Sequence, residues 1–187
     1  MRARPHLAPT VHANYRYFEI YPNADDPTQE PISWFGGGAD LTPNYLFDED
    51  AAHFHSTIKA ACDQHGEAYY PKFKAWADKY FLIPHRKECR GVGGIFFDDL
   101  DPSSAVHGDC ARWASADKPS RSEIFQFVKD CGDSFNASYL PILAKRTAMP
   151  FSEQHYRWQQ LRRGRYVEFN LVRTRARFDC SLSLSPC

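Results

Sequence analysis

Three residues at alternate positions open the chemical reading of this sequence: His12, Asn14 and Arg16 lie within the run HANYRYFEIY. An imidazole, an amide and a fixed guanidinium fork on one face of a strand can together bind a carboxylate and a hydrogen-bonding group. The plainer reading of the same pattern is the polar face of an amphipathic strand, and spacing by itself favours that plainer reading. Asp40 follows three consecutive glycines, Gly36 to Gly38. A carboxylate there can act as a base or orient a cationic or N–H-bearing ligand, whereas its bland role is an Asx turn. Arg86 and Arg90, four apart before a glycine-rich run, can clamp anionic groups or merely solvate a turn. His12, His55 and His85 could share a metal, yet the sequence has no H-E-x-x-H, and satisfied pocket or core histidines are the expectation. Neither glycine run has the spacing of a phosphate loop or a dinucleotide fingerprint.

These residues need elements to hold them. The aromatic, β-favouring stretch His12–Tyr21 predicts a strand with His12, Asn14, Arg16 and Phe18 on one face and Tyr15, Tyr17 and Glu19 on the other. A short strand over 32–35 is predicted to end at the glycines and deliver Asp40 just beyond. Asp48 is placed as the N-cap of a helix to about His65 with His55 inward and His53 outward. A second helix is predicted from Pro71 towards Pro84, and a buried strand over 91–97. Ser120-Arg121-Ser122-Glu123 is a capping-box pattern opening a helix that Pro141 is expected to kink or end. A further helix is predicted over 152–163, stopping at Gly164, and the alternation of 166–172 predicts a strand.

Composition narrows the classes. The chain has 187 residues, with 23 Lys+Arg against 23 Asp+Glu. A neutral balance argues against electrostatic nucleic-acid binding, although residues 151–187 hold seven arginines against three acids and leave an RNA-binding tail as a weak rival. No apolar run is long enough for a membrane-spanning helix. Six cysteines without a C-x-x-C pair read as free thiols. The 28 aromatics outnumber the 24 Ile, Leu and Val residues, which suits a broad sheet or the walls of a pocket for a large flat ligand.

The strings TVHANYRYFE, WFGGGADLTPNY, EDAAHFH, ACDQHGEAYYPKFKAWADKYF, GVGGIFFDDL and WQQLRRGRYVEFNLV together resemble oxygen-dependent coproporphyrinogen III oxidase of haem and chlorophyll synthesis. The resemblance covers about 9–100 and 120–172. It implies an α+β fold, a large antiparallel sheet flanked by helices, in homodimers with a deep cleft for the porphyrinogen. The implied reaction converts two propionates of coproporphyrinogen III to vinyl groups, giving protoporphyrinogen IX, with O2 as co-substrate and no metal or organic cofactor. The resemblance makes Asp40 the carboxylate that binds pyrrole N–H groups and His12 a proton donor. It makes Asn14, Tyr15 and Arg16 substrate contacts, and Arg90 and Arg86 holders of propionate. Histidines matching His12, His55 and His85 stand as a lesser, metal-binding option.

Departures from the family pattern carry expectations too. Residues 1–172 read as a partial oxidase domain with 101–119 as an inserted loop, and 173–187 as an atypical tail. An inactive fragment that only binds porphyrin or a full-length subunit is the alternative function. Cytoplasm, plastid and mitochondrial intermembrane space are the compartments the family implies.

Overall fold

The structure, a computed structural model, describes residues 6–22, 31–102 and 118–173; the side chains of 172 and 173 are not described. The inserted loop and the atypical tail expected from the sequence lie almost wholly outside these residues. The chain runs β1 (Thr10–Ile20), β2 (Ile32–Thr42), α1 (Asp48–Asp63), α2 (Tyr69–Phe81), β3 (Leu82–Ile83), β4 (Glu88–Cys89), β5 (Gly93–Leu100), α3 (Arg121–Thr147) and α4 (Glu153–Glu168). A π-helical turn, Phe169–Arg173, closes it. The α+β class stands, with a three-stranded antiparallel sheet ordered β1-β2-β5 and a small β3-β4 hairpin among the described residues.

One face of the sheet is covered by helices. Phe54 and Ile58 of α1, Phe73 of α2 and Phe127 of α3 meet Leu41, Ile95 and Phe97 of the sheet in one core, all at 1% exposure or less. Phe73, Phe97 and Phe127 form a ring cluster with centroids 5.2–5.4 Å apart. Here the aromatic excess is core packing, since each ring buries a large apolar area with favourable edge and offset geometry. Cys62 and Cys131 are buried free thiols in the same core, and Cys89 is free and exposed.

Three expectations are corrected. The glycines do not end β2, which continues through them to Thr42. Neighbouring atoms fill the places their side chains would take: a Cβ on Gly36 would lie 2.3 Å from Asp98 Oδ1, and one on Gly38 would lie 2.4 Å from the Ile95 carbonyl oxygen. The glycines therefore permit close strand contact rather than a turn. Residues 166–172 are helical instead of extended, and α4 passes through Gly164. Helical spacing puts Arg162, Arg165 and Glu168 on one face, where the arginines approach Glu88 at 3.9 and 3.3 Å and Glu168 grips Arg86 at 2.7 Å. Phe169 is then buried against Phe81. A strand would send alternate members of this set to opposite faces.

The third correction is to one half of an expectation: of kinking or ending the helix at Pro141, the ending does not occur, since Pro141 sits inside α3. Proline has no N–H for the carbonyl four residues back, so Ala137 loses its helical donor. His53 Nε2 donates to that oxygen at 3.0 Å, which satisfies it and ties α1 to α3. His53→Ala is expected to cost about 1 kcal/mol in denaturant unfolding. The cost should shrink when Pro141→Ala restores the helical donor; an equal cost in both backgrounds would contradict this role.

The capping box at Ser120 forms as the sequence predicts, with Glu123 N–H donating to the serine oxygen and the Glu123 carboxylate accepting from Ser120 N–H. At the far end of α3, buried Arg146 makes two bonds of 2.8 Å to Asp50 at the start of α1. The first and last helical turns of the two long helices are thereby fixed against each other.

Candidate functional site

The register of the sheet builds the site. Antiparallel pairing sets His12 opposite Asp40, Asn14 opposite Gly38 and Arg16 opposite Gly36. Because strand side chains alternate, His12, Asn14, Arg16 and Asp40 share the sheet face away from the helical core. They border a cavity of about 170 Å³. Tyr80, Phe81, Phe96 and Phe169 supply its apolar wall, and Tyr80 stacks on Phe96 with centroids 4.2 Å apart. The cavity thus sets an aromatic wall against polar and charged side chains, an arrangement that suits a flat ligand with ionised arms.

Asp40 is only 2% exposed. Its Oδ1 accepts from Arg90 Nη2 at 2.7 Å; its Oδ2 is buried without a hydrogen-bond partner. Burial pushes the carboxyl above its usual value, while Arg90, and more weakly His12 and the Thr42 hydroxyl, pull it back. A buried carboxylate oxygen left unpaired is costly, so Oδ2 can accept a hydrogen bond from a ligand N–H. Arg16 is partly exposed on the same face and reaches Asp98 Oδ1 at 3.3 Å, with its buried Nε unpartnered. His12 and Asn14 are exposed beside them.

Other residues singled out from the sequence lie elsewhere. Tyr15 faces the opposite way, as period two requires, and its hydroxyl donates to the Cys131 carbonyl at 3.2 Å inside the core. It does not border the cavity; burial pushes its phenol well up. Arg86 is held by Glu168, with its Nη2 donating at 2.7 Å on the surface, so its position does not face the cavity either. Arg90 lines the cavity but is already engaged by Asp40.

The histidines do not converge. His55 Nε2 donates to the Val92 carbonyl at 3.1 Å, and Nδ1 accepts from Tyr70 Oη at 2.9 Å. Burial and nearby Lys74 push its pKa down, favouring the neutral ring these bonds require. His85 pairs with Glu168 at 3.0 Å. Among the described residues no three His, Cys, Asp or Glu side chains are grouped to hold a metal.

Sequence reasoning missed Asn170, whose Oδ1 accepts from Arg90 Nη1 at 2.9 Å. It also missed the cage round Arg90, in which the guanidinium carbon lies 4.2, 4.7 and 4.9 Å from the ring centres of Phe81, Phe169 and Tyr166. Nothing local marks these residues, which come from segments about 80 positions apart. The KYF and RYVEFN strings contain the three rings and Asn170, but show no partner for them.

Comparison with known proteins gives consistent matches. The family described as coproporphyrinogen III oxidase matches residues 1–179. A human mitochondrial oxygen-dependent coproporphyrinogen-III oxidase is 54% identical over 168 residues, 90% of this chain and 32% of the relative. An oxygen-dependent coproporphyrinogen-III oxidase of Francisella tularensis subsp. mediasiatica is 51% identical over 89% of this chain and 47% of its own length. Coproporphyrinogen-III oxidase 1 of Arabidopsis thaliana, chloroplastic, is 49% identical over 89% of this chain and 39% of the relative. The chain thus spans about a third to a half of the length of these relatives.

Proposed function

The chain belongs to the coproporphyrinogen III oxidase family, and from that premise we propose that its cavity holds a propionate-bearing pyrrole ring of coproporphyrinogen III for aerobic oxidative decarboxylation. The observation that carries this reading is the buried, half-satisfied carboxylate of Asp40 beside Asn14 and Arg16 under an aromatic wall. In the proposed chemistry each propionate, with O2 and one proton, becomes a vinyl group, CO2 and hydrogen peroxide. No metal or organic cofactor enters this proposal.

The residues divide the work. Asp40 Oδ2 accepts the pyrrole N–H and draws its proton, which raises the electron density of the ring for attack by oxygen. Arg16 meets the propionate through charge-assisted bonds, Asn14 supplies donor and acceptor beside it, and His12 delivers a proton. The stacked Tyr80 and Phe96 flank the ring. The product in this proposal is protoporphyrinogen IX, and homodimers are part of the same proposal.

A second reading has its own observation. Ligand pockets of drug-like size occupy about 300–1,000 Å³, and about 170 Å³ admits one ring and its arm rather than a macrocycle. Together with the partial span of the relatives, this supports a chain that binds porphyrin, or pairs with a full-length subunit, without turnover. Of the named relatives, the human one is mitochondrial and the Arabidopsis one chloroplastic. Among the described residues no helix is long and apolar enough to cross a membrane.

Fluorescence titration with coproporphyrin III, the stable oxidised tetracarboxylate, alongside O2 uptake with the porphyrinogen tests both readings. Saturable binding is expected, weakened roughly 10-fold or more by Arg16→Leu, since a hydrogen bond to a charged group is worth about 1.5–3 kcal/mol. Binding with O2 uptake supports the enzyme; binding without it supports the second reading. Absence of binding, or Arg16→Leu binding like the parent, overturns the assignment of this cavity.

A further inference from the structure

Arg90 is 6% exposed, and rings of Phe81, Phe169 and Tyr166 surround its guanidinium. Its Nη1 is bonded to Asn170 and its Nη2 to Asp40. A guanidinium meets a planar carboxylate best edge-on with two N–H groups free on that edge. Here one terminal nitrogen already serves each neighbour, and Nε lies buried without a partner. Arg16, by contrast, is partly exposed and shares only a 3.3 Å contact with Asp98. The two arginines of the cavity are therefore not equivalent.

We infer that Arg90 is a positioning residue, which Asn170 and the three-ring cage hold so that it engages Asp40 Oδ1, keeps that carboxylate ionised and leaves Oδ2 directed to the ligand. This rests on the proposed reading of the cavity and deepens it: the substrate carboxylate belongs to Arg16. Asn170 and Phe169 come from the turn following α4, and Glu168 just before them is clipped to His85 and Arg86. The placement of Arg90 thus depends on the β3-β4 hairpin and the end of α4 meeting. The charged or titratable groups facing Asp40 are Arg90 and His12, with the hydroxyl of Thr42 nearby; β5 presents Gly94 opposite it and adds no charge. Arg90 is accordingly the main group favouring the ionised form.

Carbon-13 NMR of the 187-residue chain labelled at aspartate carboxyls reads this directly, with Asp40→Asn assigning the signal. Arg90→Met is expected to raise the Asp40 titration midpoint by at least one pH unit, and Arg90→Lys, which restores the charge, to return most of that shift. Asn170→Ala, at an exposed position, is expected to move the midpoint upward by less. Coproporphyrin affinity of Arg90→Met, measured at a pH where its Asp40 is ionised, should stay within threefold of the parent. An unmoved midpoint in all three variants, or a 10-fold loss of affinity at that pH, overturns the inference and makes Arg90 a direct clamp. Should Arg90→Met fail to fold, Arg90→Lys and Asn170→Ala decide: a midpoint raised in Asn170→Ala and near the parent in Arg90→Lys supports it. If the parent does not bind coproporphyrin, the cavity assignment fails while the NMR arm still tests Arg90.

Discussion

Asp40→Asn is expected to lower oxidative decarboxylation by roughly 10²–10⁴-fold, the usual contribution of a positioned acid or base, without lowering stability at neutral or alkaline pH. The first half follows from what an amide lacks: it can still accept from Arg90, but it cannot take a pyrrole proton. The second half follows from linkage. Burial raises the native carboxyl above 3.8, the value for the free group. Between that value and the raised one the native state binds more protons than the unfolded chain, so unfolding releases protons and stability falls as pH rises. Asparagine resembles the protonated acid and escapes that loss. Melting of the substituted protein at pH 8 should therefore match or exceed the parent, while below the free-acid value the difference should vanish. O2 uptake is to be read on the 187-residue chain and on a full-length relative changed at the matching position. Unimpaired uptake in the relative, or a destabilisation larger at pH 8 than at acid pH, would contradict the role given to this carboxylate. A site that gives up stability to keep a charge buried is the trade expected where function needs a strained group.

The alternation of β1 was legible because it is local: period two places His12, Asn14 and Arg16 together with no knowledge of what lies opposite. The same rule sends Tyr15 to the core, where its ring tilts 6.3 Å from Phe97. The family strings pointed to Asp40, but its setting was misread. Three glycines suggest a turn, and only the approach of Arg16, Asp98 and Ile95 from β1 and β5 shows why they belong inside a strand. Residues 166–172 show how a short pattern misleads. Their alternation fits a strand, but the ion pairs that settle the helix reach Arg86 and Glu88, about 80 positions away. That α3 runs on through Pro141 was hidden for the same reason, since the donor that replaces its missing N–H comes from another helix. Propensity and periodicity record what a segment does alone; these corrections come from partners distant in sequence.

Gly94→Ala is expected to be strongly destabilising, costing at least about 3 kcal/mol. Gly94 lies directly opposite Asp40 in the β2–β5 ladder, and a Cβ there would sit 1.9 Å from the Ala39 carbonyl oxygen and 3.0 Å from Asp40 Cα. The obstructing atoms are backbone, so no side chain can swing aside. Relief requires the strands to part, which breaks ladder bonds beside the buried Ile95 and Leu41. The site should fail with the fold, since the strand that must move carries Asp40 away from Arg90. Gly164→Ala is the control, because it adds the same methyl in α4 with no atom within 4 Å. There the gain in helix propensity should stabilise the chain by up to about 1 kcal/mol. Urea unfolding of both variants, with the Asp40 carboxyl signal followed in whatever remains folded, gives opposite signs if close strand contact is what glycine serves at 94. Equal and small effects at the two positions would show that β2 and β5 tolerate a side chain between them, and the close pairing that holds Asp40 against Arg90 would then need another cause.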